Sequence, residues 1–219
     1  MPLSLFHRDS DHTGGARAVR AMQPQADWLG AQPDDWRAGR AGARPAAGAG
    51  QNAVVTPCLA DQRWGWDGVS FEVLHPRSED YAGQPKSNAL SCVLRIGNGQ
   101  THARLVGNIK QPQEARQVAQ FGPGAAAPGL QAELLLVPHH GSKTSSSAAF
   151  LQAVAPRLAL VQAGYRNRFG HPAAEVLARY QAQGIALVRS DHCGAMHWQS
   201  AQPGQLVCQT TVLGKSSQT

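Results

Sequence analysis

Apolar and polar residues follow two different periods along this chain, and the change from one to the other predicts its layout. In "RWGWDGVSFEVLHP", Arg63 to Pro76, strand-forming aromatic and β-branched residues flank Asp67-Gly68, which predicts a hairpin turning at that pair. "ALSCVLRIGNGQTHARLVGN" predicts a second hairpin, turning near Asn98-Gly99. Beyond it, "QPQEARQVAQF", "SSAAFLQAVAP" and "AAEVLARYQAQG" read as helices, whereas "ELLLVP", "LALVQAG" and "IALVRS" read as short strands. "GAMHWQSAQPGQLVCQTTVL" predicts a closing β pair. Near the start, Ala16 to Met22 predicts a short helix that turns Val19 and Met22 inward. Hairpins followed by alternating helix and strand predict a mixed sheet covered by helices, of the α/β or α+β class.

Composition changes this picture in one segment. From about residue 32 to 52 the chain is largely Ala, Gly, Arg, Pro and Asp without apolar periodicity, which predicts a flexible surface insertion. The 219 residues suit one domain, spanning 1–219, and 23 Gly with 14 Pro require long irregular segments. A net charge of +6 favours a polyanionic partner such as nucleic acid or an anionic membrane face. Much of that charge is Arg between Arg37 and Arg44, so a solvated basic loop is the competing explanation.

The four cysteines, Cys58, Cys92, Cys193 and Cys208, form no CxxC pair, which excludes a zinc ribbon and a redox motif. They are expected as buried free thiols, with Cys193–Cys208 pairing across the terminal hairpin as the alternative in an oxidising compartment. No apolar run reaches the ~20 residues of a membrane span, and no basic-then-apolar leader opens the chain. As written, the product is expected to be soluble and unexported.

The chemistry concentrates in a few places. "HRDSDH" packs His7, Asp9, Asp11 and His12 into one loop before Gly14-Gly15 and a helix. Imidazoles and carboxylates that converge in this way bind divalent cations, so the loop is a candidate metal site. "LLLVPHHGSKTSS" ends an apolar strand in Pro138 and delivers His139, His140, Gly141 and Ser142 at its carboxyl end, where open α/β sheets place their ligands. "RNRFGHP" repeats the strand, loop, helix arrangement at His171, a candidate ligand or substrate contact. "ARLVGN" ends another strand in Gly107-Asn108.

Taken together and in order, these stretches resemble the C-terminal metallo-β-lactamase-like domain of the ComEC family, which acts in DNA internalisation during natural competence. The family pattern H-x-D-x-D-H-x-G-G is matched by His7 to Gly15, and N-x-x-S by Asn88 to Ser91. V-P-H-H-G-S-x-T-S-S is matched by Val137 to Ser146, N-x-F/Y-G-H-P by Asn167 to Pro172, and T/S-D-x-x-G by Ser190 to Gly194. The resemblance implies an αββα sandwich of α/β class. It implies two divalent metal ions, Mn²⁺ or Zn²⁺, on His7, Asp9, Asp11, His12, Asn108 and His140. It further implies catalytic roles for Asp11, His140 and His171, and substrate contacts at His139, Ser142, Asn167 and His171. The expected reaction is phosphodiester hydrolysis of DNA, with a single strand and the membrane-channel portion of a competence protein as partners and no small-molecule cofactor. Full-length family members reside in the cytoplasmic membrane.

Two departures qualify that expectation. The family's T-G-D aspartate, which bridges both ions, is Asn108 here, so the site loses a negative charge and impaired catalysis is expected. The family also places a D-V-G-Q-G-D strand pair before the first histidine motif, whereas only Met1 to Phe6 precede His7; much of the N-terminal half-sheet is therefore expected to be missing. A non-catalytic DNA-binding module, an inactive remnant, and a metallo-β-lactamase-like hydrolase of a small ester are the competing functions.

Overall fold

The computed structural model describes residues 3–31, 55–83, 85–126 and 129–209; the expected insertion at about 32–52 lies outside them except at its edges. Three short parallel strands, β1 (Leu3–Leu5), β2 (Trp28–Gly30) and β3 (Val55–Pro57), form a small sheet in that order. Between β1 and β2 lie the single turn α1 (Ser10–Thr13) and the helix α2 (Ala16–Met22).

A seven-stranded sheet dominates. Its antiparallel half is β4 (Arg63–Trp66), β5 (Val69–His75), β6 (Val93–Gly97) and β7 (His102–Leu105). Its parallel half continues from β7 through β8 (Leu134–Leu136) and β9 (Leu158–Val161) to β10 (Ala186–Arg189), giving the spatial order β10-β9-β8-β7-β6-β5-β4. Both hairpins turn where the sequence places them. Asp67 and Gly68 take positive φ of 49° and 75°, as a tight two-residue hairpin turn requires. At the second turn the Asn98 side-chain oxygen accepts from the backbone N–H of Gln100 and Thr101.

Three helices, α3 (Gln111–Phe121), α4 (Ala148–Val154) and α5 (Ala174–Ala182), bury one face of this sheet around Val106, Ile109, Leu135, Phe150, Leu151, Val161, Val176 and Tyr180. Glu114 of α3 is fully buried, and its two carboxylate oxygens accept from the N–H groups of Ser146 and Ser147 at the start of α4, pinning one helix to the other. The opposite face packs on the small sheet through Leu29, Ala31, Phe71, Val73, Leu90 and Leu94. Further along that face, Ala103, Leu134 and Leu158 lie beneath Trp198 and Leu206 of a terminal hairpin, β11 (Ala195–Trp198) with β12 (Leu206–Gln209), which follows the turn α6 (Ser190–Cys193).

Two sequence expectations need correction. Helix α2 forms, but Val19 and Met22 are exposed, Met22 at 81%, and among its described side chains Ala16 is the buried one. A helix this short has room for only one inward position per turn, and the buried position falls on its first residue. The cysteines are not free thiols: Cys58 pairs with Cys92 and Cys193 with Cys208. The first bridge ties the segment after β3 to the segment before β6, clamping the two sheets together; the second closes the terminal hairpin. Cys193–Cys208 is the pairing across the terminal hairpin that the sequence offered as the alternative, whereas Cys58 and Cys92, 34 residues apart, become neighbours only through the packing of the two sheets, which cysteine spacing does not reveal.

Candidate metal centre

Four loops meet at one end of the sheets. The first follows β1, where His7 is buried and residues 10–13 wind into α1 rather than remaining an open loop, as the sequence suggested. That turn sets Asp11 and His12 side by side, with His12 Nε2 3.4 Å from Asp11 Oδ2. The second follows β7. Gly107 sits at φ +52°, and a Cβ there would meet Ser91 Oγ and Phe6, so only glycine fits. Ser91 Oγ accepts from the Asn108 N–H at 2.7 Å and fixes the next side chain.

The third loop follows β8. His139 and His140 both occupy the left-handed region, at φ 49° and 55°, a conformation that typically costs about 1–3 kcal/mol per non-glycine residue. The His139 N–H to the Gly107 carbonyl, at 2.9 Å, and the Ala173 N–H to the Gly141 carbonyl, also 2.9 Å, hold that strained turn in place. The fourth loop follows β9 and carries Asn167 and His171; Asn167 accepts the His171 N–H at 2.9 Å and donates to its carbonyl at 2.6 Å.

These loops bring one ligand atom each from His7, Asp11 and His12 within 4.8 Å of one another. Asn108 joins them, its Oδ1 3.2 Å from His12 Nε2 and its Nδ2 donating to Asp11 Oδ2 at 3.1 Å. His140 reaches the same Asp11 oxygen at 3.1 Å through Nε2. Asp9 lies at the edge, 3.5 Å from His7 Nδ1, and its carboxylate accepts from Ser87 Oγ at 2.9 Å.

Several features fit this donor set to a cation. The Nδ1 of His140 lies 2.8 Å from the carbonyl oxygen of Gln162, an acceptor only, so Nδ1 donates there and the ring is oriented with Nε2 toward Asp11 Oδ2 at 3.1 Å. His7 Nε2 is buried without a hydrogen-bond partner, which is costly unless something else satisfies it. Burial, and then the neighbouring His12, push the His7 pKa down to about 4, and burial also lowers His12, so both rings are neutral and able to ligate. For Asp11, burial opposes ionisation, but His12, the His140 contact and Asn108 outweigh it and hold the carboxyl below its ordinary value.

A cleft of about 890 Å³ opens above the cluster. Asp9, Asp11, Asn108, His139, His140, Asn167 and His171 all line it. Ser142 does not: it is buried beside the turn, its Oγ 3.1 Å from Thr144 Oγ1. His139 faces His171 edge-on with ring centroids 6.0 Å apart; burial, then the Lys110 ammonium, drive the His139 pKa to about 4. Sequence reasoning did not single out Ser87, the Gln162 carbonyl, Arg168 or Phe169, all of which touch this site. Only the last two had a visible signal, since they lie inside "RNRFGHP".

No family model matches the chain. Relatives do. The competence protein ComA of Neisseria gonorrhoeae is 36% identical over 196 residues, 90% of this chain and 25% of its own length. ComE operon protein 3 of Bacillus subtilis (strain 168) is 32% identical over 130 residues, 59% of this chain and 16% of its own length. The chain belongs to the ComEC family of competence proteins. It spans about a quarter of the length of its gonococcal relative. A metal-dependent hydrolase structure from Parabacteroides distasonis ATCC 8503 superposes with a TM-score of 0.51 over 87% of this chain and 78% of that one, at 10% identity, a likeness of fold alone. The fold of this ComEC-family chain is the metallo-β-lactamase fold, as the order of its motifs led one to expect. Among the described residues no helix is long and apolar enough to cross a membrane.

Proposed function

We propose that this chain is a metal-dependent phosphodiesterase domain that hydrolyses DNA during competence-linked uptake, working beside the membrane-channel portion of a ComEC-type protein. The observation that carries the proposal is the convergence of His7, Asp11, His12, Asn108 and His140 on one point at the floor of an open cleft, with His140 Nε2 3.1 Å from the Asp11 carboxylate. His7, Asp9, Asp11, His12, Asn108 and His140 would hold two divalent cations, of which Mn²⁺ suits the oxygen-rich share of this set better than Zn²⁺. Bound cations would supply Lewis acidity and neutralise charge building on a phosphoryl oxygen.

The chain's own residues position the substrate. Asn167 and the backbone around it hold the His171 ring at the cleft wall, where it meets a phosphodiester threaded past His139. Water adds to phosphorus, one ester P–O bond breaks, and the leaving alkoxide takes a proton. The attacking water supplies that proton, and His171, whose ring lines the cleft, is placed to contact the substrate. The Asp11 carboxylate keeps the His12 and His140 rings aligned toward the reacting phosphate.

Asn108 favours a second, weaker form of the same reading. As an amide it bonds Asp11 through its N–H, so it offers the site an uncharged oxygen where a carboxylate would balance a second dication. One tightly held ion and a weak second site, with slow turnover, follow from that arrangement. Calorimetric titration of the metal-free chain with Mn²⁺, paired with cleavage of a labelled oligonucleotide, tests the proposal. Binding that is lost in Asp11→Ala together with Mn²⁺-dependent cleavage is expected; DNA binding indifferent to both chelator and Asp11→Ala would instead mark a non-catalytic DNA-binding module.

A further inference from the structure

The loop between β9 and α5 reads "GYRNRFGH", Gly164 to His171, and exposes two large rings, Tyr165 at 77% and Phe169 at 67%. Each ring carries an arginine. The Arg166 guanidinium lies 5.4 Å from the Tyr165 ring centroid, and that of Arg168 lies 4.8 Å from the Phe169 centroid. Both arginines are exposed, and neither has an ion-pair partner among the described residues. Phe169 and Arg168 line the cleft over the metal centre. Rings run outward from it in sequence: His139 to His171 at 6.0 Å, then His171 to Phe169 at 5.9 Å with planes only 23° apart.

A single exposed aromatic is ordinary, but two large rings on one loop beside a cleft mark a surface for a partner. Here Asn167, bonded across the loop to His171 and to the Gly164 carbonyl, keeps both rings outward. An exposed ring with a guanidinium over one face matches a nucleotide, whose base can stack on the ring's other face while its phosphate pairs with the cation. The pair occurs twice, one residue apart, so the loop suits two successive nucleotides of a strand. A duplex cannot use it, since paired bases already stack on one another.

We propose that Phe169 with Arg168, and Tyr165 with Arg166, form a stacking and phosphate-gripping platform that selects single-stranded polynucleotide and feeds it along His171 to the metal centre. This rests on the reading of the cleft as a DNA-cleaving site, and the test is arranged so that the two stand or fall separately. Fluorescence anisotropy with labelled oligo(dT), an abasic strand of equal length and a duplex is measured on the full 219-residue chain in EDTA, so that no cleavage occurs. Phe169→Ala is expected to weaken oligo(dT) binding about 5- to 100-fold, with Phe169→Trp restoring it, while the abasic strand binds weakly and ignores the substitution. Arg168→Ala is expected to reduce the slope of log K against log salt by about 0.7. Near-equal affinity of wild type and Phe169→Ala for oligo(dT), abasic strand bound as tightly as oligo(dT), or no measurable oligo(dT) binding by the wild type would each overturn the platform. Phe169-dependent binding without Mn²⁺-dependent cleavage would leave the platform standing and remove the hydrolase reading; cleavage without Phe169-dependent binding would do the reverse.

Discussion

Replacing Asn108 by Asp is the most informative perturbation of this chain, because it changes one charge at a nearly buried position without changing size. Asn108 is 3% exposed, donates to Asp11 Oδ2 at 3.1 Å and stands 3.2 Å from His12. In the metal-free protein the new carboxylate loses that donated bond and faces a like charge at the same distance. Coulomb's law with an effective dielectric of 20 puts the repulsion at about 5 kcal/mol. Asp11 is 42% exposed, so water screens much of it, and a net loss of about 2–4 kcal/mol is the reasonable expectation. For a chain of this length that corresponds to a fall in Tm of roughly 5–15 °C in EDTA.

Added cation reverses the sign. An anionic ligand in place of a neutral one is expected to tighten divalent binding by about one to two orders of magnitude. At a Mn²⁺ concentration equal to the wild-type Kd, the wild type gains about 0.4 kcal/mol, whereas a variant binding 100-fold tighter gains about 2.7 kcal/mol. Thermal melts of both proteins, in EDTA and across a Mn²⁺ series, therefore diverge in opposite directions, and Asn108→Asp is expected to cleave DNA faster. Equal melting temperatures in EDTA, an equal Mn²⁺ response and equal cleavage rates would refute the placement of Asn108 in the cation site.

Reduction with dithiothreitol is expected to lower stability markedly, since cross-linking a loop of this size contributes about 3–4 kcal/mol for Cys58–Cys92, and a melt of Cys58→Ala should reproduce most of the loss. His75 supplies a pH effect outside the candidate metal centre: burial first, helped by Arg116, lowers its pKa although the Ala89 carbonyl and Asp80 pull the other way. The unfolded chain thus binds this proton more readily, so stability present above about pH 6.5 is lost as pH falls towards the depressed folded value. Denaturant melts at several pH values should show that loss, and His75→Gln should flatten it; an unchanged profile in the variant would exclude His75 as the source.

Much of this fold could be read directly from residue order. Strand and helix periods, the Asp67-Gly68 turn and the apolar run of β8 depend on neighbours within a few positions, and such local preferences survive transfer into the structure. The helix α2 shows where that reasoning stops. Its existence is a local property, but which side it buries depends on what lies beside it, and Val19 and Met22 ended outside.

The site divides along the same line. Residue type and spacing alone indicated metal chemistry in "HRDSDH", because few other roles call for so many imidazoles and carboxylates together, and a strand-end ligand site in "PHHGS", where only the family resemblance made His140 a metal ligand. Only tertiary structure decided that Asp11, not Asp9, is the carboxylate shared by His12, His140 and Asn108, and that Ser142 turns away from the cleft. The same holds for the Cys58–Cys92 pair and for the arginine-capped rings of the β9–α5 loop. Each of these depends on the packing of segments 34 to more than 100 residues apart, or on side-chain exposure at the end of a sheet. Contacts of that kind are set by how whole layers stack, and no local stretch of sequence contains them.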